Sequence, residues 1–206
     1  MKTRIISLTD DSAIKETLTI IRSGGVVALP TDTVYGIACS VESTTAIQSL
    51  YQIKIRESIK AIPVLIADID QINLLAKDLN ENTSKLAQSF WPGALTLIVP
   101  KNDSLPHNLT IYPTVGVRMP DHDWLRAIMR ETGPLAATSA NISGESSPTT
   151  SQQVLDQLDG RIELIINGGE CKSGISSTVI DCSGEEIKII RQGMITSEQI
   201  QSVLGK

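Results

Sequence analysis

Three cationic side chains stand close together in the first third of the chain. Lys54, Arg56 and Lys60 lie between the end of a predicted helix and a predicted buried strand at 61–67. A flexible ammonium beside a forked guanidinium is well suited to bind a polyphosphate. Cations also stabilise a helix C-terminus, by about 0.3–1 kcal/mol each. The cluster therefore predicts either a polyphosphate site or a solvated helix end. The sequence has no Walker A or GxGxxG motif that would bind a nucleotide in another way.

Two arginines are associated with predicted apolar strands. Arg118 lies within 114–119, and Arg191 follows 187–190. An unpaired charge in such a strand is costly, so each arginine needs an anionic partner. That partner is either an aspartate or glutamate of this chain or the carboxylate of a substrate.

Hydroxyl and amide side chains gather where predicted strands end. The stretch 31–36 follows a short apolar strand, 139–144 follows another, and 177–178 begins a third after a Gly-rich loop. Ligands often bind at such strand ends in α/β folds. The same residue types also form turns by satisfying local backbone groups, so both interpretations stand. Asp32, within the first stretch, is more typical of a turn than of a general base or an Mg²⁺ ligand.

The remaining reactive residue types indicate no metal site and no hydrolase. His107 and His122 lack metal-ligand spacing, so they are interpreted as surface or structural residues. Cys39, Cys171 and Cys182 are odd in number and form no CxxC motif, so they are interpreted as structural thiols. No GxSxG motif precedes a possible triad.

Helical and strand periodicities alternate along the chain, which predicts an α/β fold. The predicted helices are 12–23, one capped at 43–44 and ending at 54–56, two opening at Asp70 and at 83–84, one capped by Asp121 or Asp123, one capped by Ser151, and 196–204. The predicted strands are 26–29, 37–39, 61–67, 94–99, 114–119, 135–138, 163–166, 177–181 and 187–190. The turn at 183–184 and the short link 30–36 require antiparallel neighbours, so the sheet is predicted to be mixed.

Composition and charge narrow the class of protein. Apolar residues make up 41% of the chain, but aromatic residues only 3%. This composition indicates a core of Ile, Leu, Val and Ala, as is usual between a sheet and its helices. A chain of 206 residues buries roughly 70% of its unfolded surface, and a single domain over 1–206 is predicted. The net charge of -5 disfavours strong nucleic-acid binding. No apolar run suits a membrane span or a signal peptide, so the prediction is a cytoplasmic protein.

Six segments, taken in order, resemble the YrdC-type threonylcarbamoyl-adenylate synthases. They are PTDTVYG at 30–36, KIR at 54–56, WPGALTLIV at 91–99, VGVRMPDH at 115–122, TSANISG at 138–144 and SSTVID at 176–181. Each segment alone is weakly specific. Together they cover nearly the whole chain, with the KxR and SxN motifs both intact.

The resemblance implies a reaction, a fold and partners. L-Threonine, bicarbonate and ATP, supplied with Mg²⁺, would be condensed to L-threonylcarbamoyl-AMP and pyrophosphate, the first step of making N6-threonylcarbamoyladenosine in tRNA. A downstream threonylcarbamoyl-transferase complex would take the product, and tRNA itself would be bound at most weakly. The implied fold is a mixed, twisted sheet flanked by helices around an open, positively charged cavity.

The family pattern also implies roles for individual residues. ATP would be bound by Lys54, Arg56, Lys60, Thr114, Ser139, Asn141 and Arg191, with Lys54 and Arg56 as catalytic residues. Threonine would be bound by Thr33, Arg118, Thr138 and Ser177. Such a reaction needs charge neutralisation and alignment more than a base, in line with the lack of a triad motif.

The chain departs from the family pattern at two places. Glu57 stands where a proline is common, with Lys60 at a later basic position, and 64–66 lacks a histidine that some members use. The resemblance predicts the short, single-domain form without a C-terminal extension. The alternative hypothesis is an RNA-binding or ribosome-associated module of the same fold without synthase activity, which the acidic composition disfavours.

Overall fold

The computed structural model describes residues 2–57 and 59–205. Within them, ten strands form one sheet: β1 Arg4–Ser7, β2 Val27–Leu29, β3 Gly36–Ser40, β4 Val64–Leu65, β5 Leu95–Pro100, β6 Thr114–Arg118, β7 Leu135–Ser139, β8 Leu164–Asn167, β9 Thr178–Asp181 and β10 Lys188–Arg191. The α-helices are α1 Ala13–Arg22, α2 Thr44–Lys54, α3 Ile72–Leu75, α4 Glu81–Phe90, α5 Asp123–Thr132, α6 Ser151–Leu158 and α7 Ser197–Leu204, and a 3₁₀ helix, Ile69–Gln71, precedes α3. No helix in the described ranges combines the length and apolar character that a membrane crossing requires.

The sheet is mixed, with the strand order β1-β8-β2-β3-β7-β4-β6-β5-β9-β10. The pairs β1/β8, β2/β8, β4/β6 and β5/β9 are parallel, and the other neighbours are antiparallel. Both predicted antiparallel links are present, since β2 pairs with β3 and β9 pairs with β10. The predicted α/β fold with a mixed sheet is confirmed.

The two faces of the sheet are covered unequally. On one face, α2, α3, α4, α6 and α7 pack against a large apolar cluster that includes Leu50 and Leu86. On the other face, α1 and α5 pack through Ile21 and Leu125 onto residues of β2, β7 and β8. On that second face, β5, β6 and β9 carry side chains that line an open cavity instead. The cavity that holds most of the predicted site residues therefore lies where the second helical layer ends.

Three helix caps differ from the predicted ones. Asn80 caps α4, three residues before the predicted start at 83–84. His122, and neither neighbouring aspartate, caps α5 through its Nδ1, which confirms the structural interpretation of this histidine. Thr150 caps α6 in place of Ser151. Adjacent polar residues have similar capping preferences, so sequence alone does not distinguish which one takes the cap.

One predicted strand is much shorter than expected, and one strand was not predicted. The stretch predicted at 61–67 contains only Val64–Leu65 as strand, although Ile62 and Ile66 beside it are buried. Pro63 has no backbone donor for a longer ladder. Arg4–Ser7 is a strand that was not predicted, because it lies at the sheet edge with mostly exposed side chains and has no apolar alternation.

The three cysteines are buried free thiols. Burial raises the pKa of Cys39 to about 12 and that of Cys182 to about 11. A thiol that is not ionised at neutral pH is a poor nucleophile. The structural interpretation of these residues therefore fits their surroundings.

Candidate functional site

An open cavity of about 310 Å³ lies on the uncovered part of the sheet. The predicted site residues that line it are Thr33, Arg56, Arg118, Thr138, Ser139, Ser177 and Arg191. The predicted site residues outside this lining are Lys54, Lys60, Thr114 and Asn141. The structure thus brings together most of the residues that the family pattern assigned to two different ligands. Their individual roles stay predictions.

The floor of the cavity is flat at Gly116, in the middle of β6. A Cβ atom at this position would lie 3.3 Å from both the Pro63 Cβ and the Thr96 Cγ2 atoms. Those distances are tighter than ordinary van der Waals contacts, so a side chain would push its neighbours aside. A glycine inside a strand often marks such a close approach.

Arg118 is held on the wall by three hydrogen bonds. Its Nη2 donates to Asp32 Oδ1 at 2.6 Å, its Nη1 donates to Thr33 Oγ1 at 2.9 Å, and its Nε donates to the Gly93 carbonyl at 3.0 Å. The expected anionic partner is therefore Asp32, and the guanidinium still lines the cavity. Burial lowers the pKa of Arg118 and the Asp32 carboxylate opposes that effect, so the guanidinium stays charged at neutral pH. The interpretation of Asp32 as mainly a turn former is corrected.

The segment 31–36 combines a local turn with a cavity wall. Thr31 Oγ1 donates to the Val34 carbonyl at 2.7 Å and accepts from Thr33 N, so it stabilises the turn. Thr33 instead presents its hydroxyl to Arg118. The two interpretations of this segment therefore apply to different threonines.

Tyr35 anchors the Gly-rich loop that precedes Ser177. Its ring is buried, and its hydroxyl donates to the Gly169 carbonyl at 2.8 Å and accepts from Gly168 N at 3.1 Å. Gly174 N also donates to the Thr33 carbonyl at 3.0 Å. These bonds fix the loop against the 31–36 segment and so position one side of the cavity.

Arg56 reaches the cavity through an unusual helix end. Ile55, which caps α2, has the left-handed backbone conformation φ 51°, ψ 48°. Such a conformation is strained for a β-branched residue. Arg56 then donates to the carbonyls of Lys60 and Ala61, both at 3.0 Å. The turn at Ile55 separates the two cations of the KIR motif, because it leaves Lys54 in the core and Arg56 at the cavity.

Lys54 is fully buried beneath the SAN segment. Its Nζ donates to the carbonyl oxygens of Ser139 and Asn141, and Asn141 in turn donates to the carbonyls of Ile142 and Glu145. Burial, with a contribution from Arg56, lowers the pKa of Lys54 to about 7. Both side chains hold the turn that carries Ser139. Neither contributes to the cavity wall.

Arg191 and Ser177 also line the cavity. The Arg191 guanidinium donates to the Ser177 carbonyl at 2.9 Å and to its hydroxyl at 3.3 Å. Burial and the nearby Arg118 lower the pKa of Arg191. The Ser177 hydroxyl also contacts Thr96 Oγ1 at 2.8 Å, and Thr96 lines the cavity. Sequence reasoning missed Thr96, although a single threonine in an otherwise apolar strand was a usable signal.

The other predicted residues lie in varied surroundings. Thr138 and Ser139 are half-buried and both line the cavity. Lys60 is exposed and lies 3.7 Å from a Glu57 carboxylate oxygen. Thr114 is half-buried at the start of β6.

The cavity wall is suited to bind and align anions. It presents three guanidinium groups and several hydroxyls, and no carboxylate or imidazole of residues 2–57 and 59–205 lines it. No group of three or more His, Cys, Asp or Glu side chains in those ranges is placed to hold a metal ion. A reaction here would depend on charge neutralisation and orientation.

A second, smaller cavity of about 280 Å³ lies on the other side of Thr31 and Asp32. Its wall includes Asp32, Asp121 and His122. Burial lowers the pKa of His122, while the Asp32 carboxylate acts in the opposite direction. Asp32 thus belongs to the wall of the second cavity and reaches Arg118 from behind.

Comparisons with known proteins agree with this arrangement. The family model for Sua5, YciO and YrdC, described as telomere recombination, matches residues 19–193. Threonylcarbamoyl-AMP synthase of Bacillus subtilis is 44% identical over 200 residues, which make up 96% of this chain and 58% of that protein. Threonylcarbamoyl-AMP synthase of Pyrococcus abyssi is 40% identical over 188 residues, 90% of this chain and 55% of that protein. The chain therefore spans a little more than half the length of these relatives.

Solved structures show the same fold. Pyrococcus abyssi Sua5 complexed with L-threonine matches with a TM-score of 0.95 and 38% identity, over 98% of this chain and 61% of that chain. Escherichia coli YciO matches with a TM-score of 0.83 and 23% identity, over 93% of this chain and 96% of that chain, which shows the shared fold alone. Because the family model matches most of the chain and the fold agrees along nearly its whole length, the chain belongs to the Sua5/YciO/YrdC family.

Proposed function

We propose that this protein is an L-threonylcarbamoyladenylate synthase, which joins L-threonine, bicarbonate and ATP into L-threonylcarbamoyl-AMP and pyrophosphate. The observation that carries the proposal is a single cavity whose wall combines guanidinium groups with Ser and Thr hydroxyls. Arg118 donates to the Thr33 hydroxyl, and Arg56 and Arg191 supply two further guanidiniums on the same wall. The names of the relatives and the threonine bound in Pyrococcus abyssi Sua5 support the same function.

Threonine is proposed to bind at Arg118. Three of the five N–H groups of this guanidinium are used by the protein, which leaves two for a carboxylate. Thr33, Thr138 and Ser177 supply hydroxyls around the same wall. Hydroxyl groups both donate and accept, so they suit the threonine hydroxyl and amine.

ATP is proposed to bind with its phosphates at Arg56 and Arg191. Charge-assisted hydrogen bonds from guanidinium to phosphate are short and strong. Ser139 lines the same cavity, on the turn that Lys54 and Asn141 support from inside. We infer that Lys54 and Asn141 act through this turn, and that Arg56 contacts the nucleotide directly. Lys60 and Thr114 are assigned to ATP by the family pattern alone.

The proposed reaction has two bond-forming steps. The neutral amine of threonine attacks the carbon of bicarbonate, and water leaves as the N-carboxylate forms. One oxygen of that carboxylate then attacks the α-phosphorus of ATP, and pyrophosphate leaves with the electron pair of the broken P–O bond. Negative charge develops on the phosphate oxygens, and fixed guanidiniums stabilise it without reorganisation.

Mg²⁺ is proposed to enter with ATP as part of the substrate. The cavity wall offers hydroxyls and guanidiniums, and the described residues present no carboxylate cluster to hold the ion. Mg²⁺ in such sites keeps several waters and binds phosphate oxygens directly. The residues of this chain would therefore contact the phosphates, and the ion would neutralise the charge that remains.

The product is a mixed anhydride that requires an acceptor. We propose that a threonylcarbamoyl-transferase complex delivers it to tRNA, and that the protein acts in the cytoplasm. Direct tRNA binding is expected to be weak, because the net charge of -5 repels phosphate. The RNA-binding alternative requires affinity that falls steeply with salt, and a titration of tRNA binding against salt separates the two.

The deciding experiment measures pyrophosphate release by the purified chain with ATP and Mg²⁺. Release is expected only when L-threonine and bicarbonate are both supplied, and mass spectrometry should find AMP joined to threonine through a carbamoyl group. L-Serine should be a poorer substrate, although one methyl group discriminates by only about 1–3 kcal/mol. Release that ignores threonine, or ADP as the sole product, contradicts the proposal.

A matched pair of arginine variants tests the site. Arg56→Ala should abolish most of the release, because it removes a phosphate contact. Arg130→Ala is the control, since Arg130 is an exposed arginine on α5 that pairs with Asp68. Equal activity in the two variants would count against the cavity as the site of reaction.

A further inference from the structure

The three arginines of the cavity differ in how their charge is balanced. Arg118 forms an ion pair with Asp32, and their side chains are 9% and 11% exposed, respectively. Arg56 and Arg191 donate only to backbone carbonyls and to one hydroxyl. In the described part of the chain, no carboxylate lies within 4.0 Å of either guanidinium. The cavity therefore holds one neutralised guanidinium and two that keep their full charge.

Asp32 reaches Arg118 from outside the cavity. It does not line the main cavity but lines the second one, behind the wall. A ligand in the main cavity thus meets the guanidinium first, with a negative charge directly behind it. Buried charges interact much more strongly than charges in water, because the local dielectric constant is lower.

We propose that Asp32 is the residue that separates the two anion sites, so that Arg118 accepts a monoanionic carboxylate and rejects phosphate. This inference rests on the proposed function. A carboxylate takes two parallel N–H groups and carries one charge, so it binds the ion pair mainly through hydrogen-bond geometry. A phosphate depends on net positive charge, and Asp32 repels it. Specificity then comes from a built-in repulsion as well as from attraction.

The experiment measures L-threonine binding by calorimetry, with and without millimolar inorganic phosphate. In the wild type, phosphate should leave the threonine Kd within about twofold, because phosphate occupies Arg56 and Arg191 instead. In Asp32→Asn, which keeps the shape and removes the charge, phosphate should weaken threonine binding about tenfold by competing at Arg118. Asp32→Glu keeps the charge, so phosphate should again fail to compete with threonine in this variant.

A matched control is Asp121→Asn. This exposed carboxylate lines the second cavity but makes no contact with Arg118, so the variant should also behave like the wild type. If only the overall surface charge mattered, phosphate would change the threonine Kd equally in Asp32→Asn and Asp121→Asn. If Asp32 had only a structural role, Asp32→Asn would lower stability, and phosphate would still not compete with threonine.

Failure of the inference and failure of the proposed function give different experimental results. Competition by phosphate in the wild type overturns the inference without any variant, so the test stands even if Asp32→Asn does not fold. Unchanged binding in a folded Asp32→Asn also overturns it. If the wild type binds no threonine at all, the proposed function fails at its first step.

Discussion

Replacing Lys54 by methionine should lower the stability of the fold more than replacing Arg56 by methionine does. Lys54 is fully buried and its ammonium donates to the carbonyls of Ser139 and Asn141. Arg56 is half-buried and faces the cavity. The two residues are neighbours in one KxR motif, so the pair separates support of the turn from contact with ligand.

The size of the effect follows from the bonds that are lost. At pH 8 the buried amine is mostly uncharged, since its pKa is lowered to about 7, and each of its two hydrogen bonds is worth about 0.5–1.5 kcal/mol. A cost of about 1–3 kcal/mol is expected. In a chain of this length it corresponds to a fall in Tm of about 2–12 °C. Arg56→Met should lower Tm by less than Lys54→Met does, because its two bonds to the Lys60 and Ala61 carbonyls are exposed and partly buried, respectively, whereas Lys54 is fully buried. It should nevertheless weaken ATP binding about 10–100-fold.

The assay pairs thermal unfolding by circular dichroism with ATP binding by calorimetry, at pH 8 and in the same buffer. The reasoning is refuted if Lys54→Met keeps the wild-type Tm and yet loses ATP binding. That result would mean that the ammonium leaves its buried position and contacts the nucleotide directly.

Three further predictions concern single groups. Arg118→Lys should raise the KM for threonine far more than that for ATP, because an ammonium cannot make the three fixed bonds and the carboxylate fork together; equal rises in steady-state kinetics would contradict this. The stability advantage of the wild type over Lys54→Met should grow from about pH 7 towards pH 10, on the order of 1 kcal/mol per pH unit. In this range the unfolded lysine, with its ordinary pKa of 10.5, still binds a proton. The native lysine, with its pKa lowered to about 7, does not. Denaturant titrations across that range measure it, and a flat difference would exclude a lowered pKa. Ile55→Gly should raise the free energy of unfolding by up to about 1 kcal/mol in urea titrations, since glycine takes a φ of 51° without strain; a loss of stability would show that the isoleucine side chain matters more.

Residue types and spacing were enough to predict the alternating elements and the mixed sheet. They also indicated that Arg118 needs a partner, because a charge in an apolar strand is costly wherever the strand lies. They did not identify Asp32 as that partner. The two residues are 86 positions apart, and three other strands lie between β2, which precedes Asp32, and β6, which ends at Arg118, so their contact depends on the folded sheet.

The KIR motif illustrates what spacing cannot decide. Lys54 and Arg56 were predicted to act together, because both follow one helix and both carry charge. The left-handed turn at Ile55 sends them in different directions, and no propensity rule predicts that conformation for a β-branched residue. Thr96 was missed because a lone threonine is also an ordinary strand residue and does not by itself indicate a binding site.

The cavity is assembled from segments far apart in the chain, from Thr31 near the start to Arg191 near the end. During synthesis on the ribosome, the nascent chain therefore lacks a complete ligand site until β9 and β10 have emerged and paired. Substrate cannot assist the early folding of β2 to β8, but it can stabilise the last strands once they dock, since a ligand that binds only the native state adds to its stability. Ligand-dependent protection from proteolysis should consequently be strongest at β9 and β10, the strands that complete the cavity.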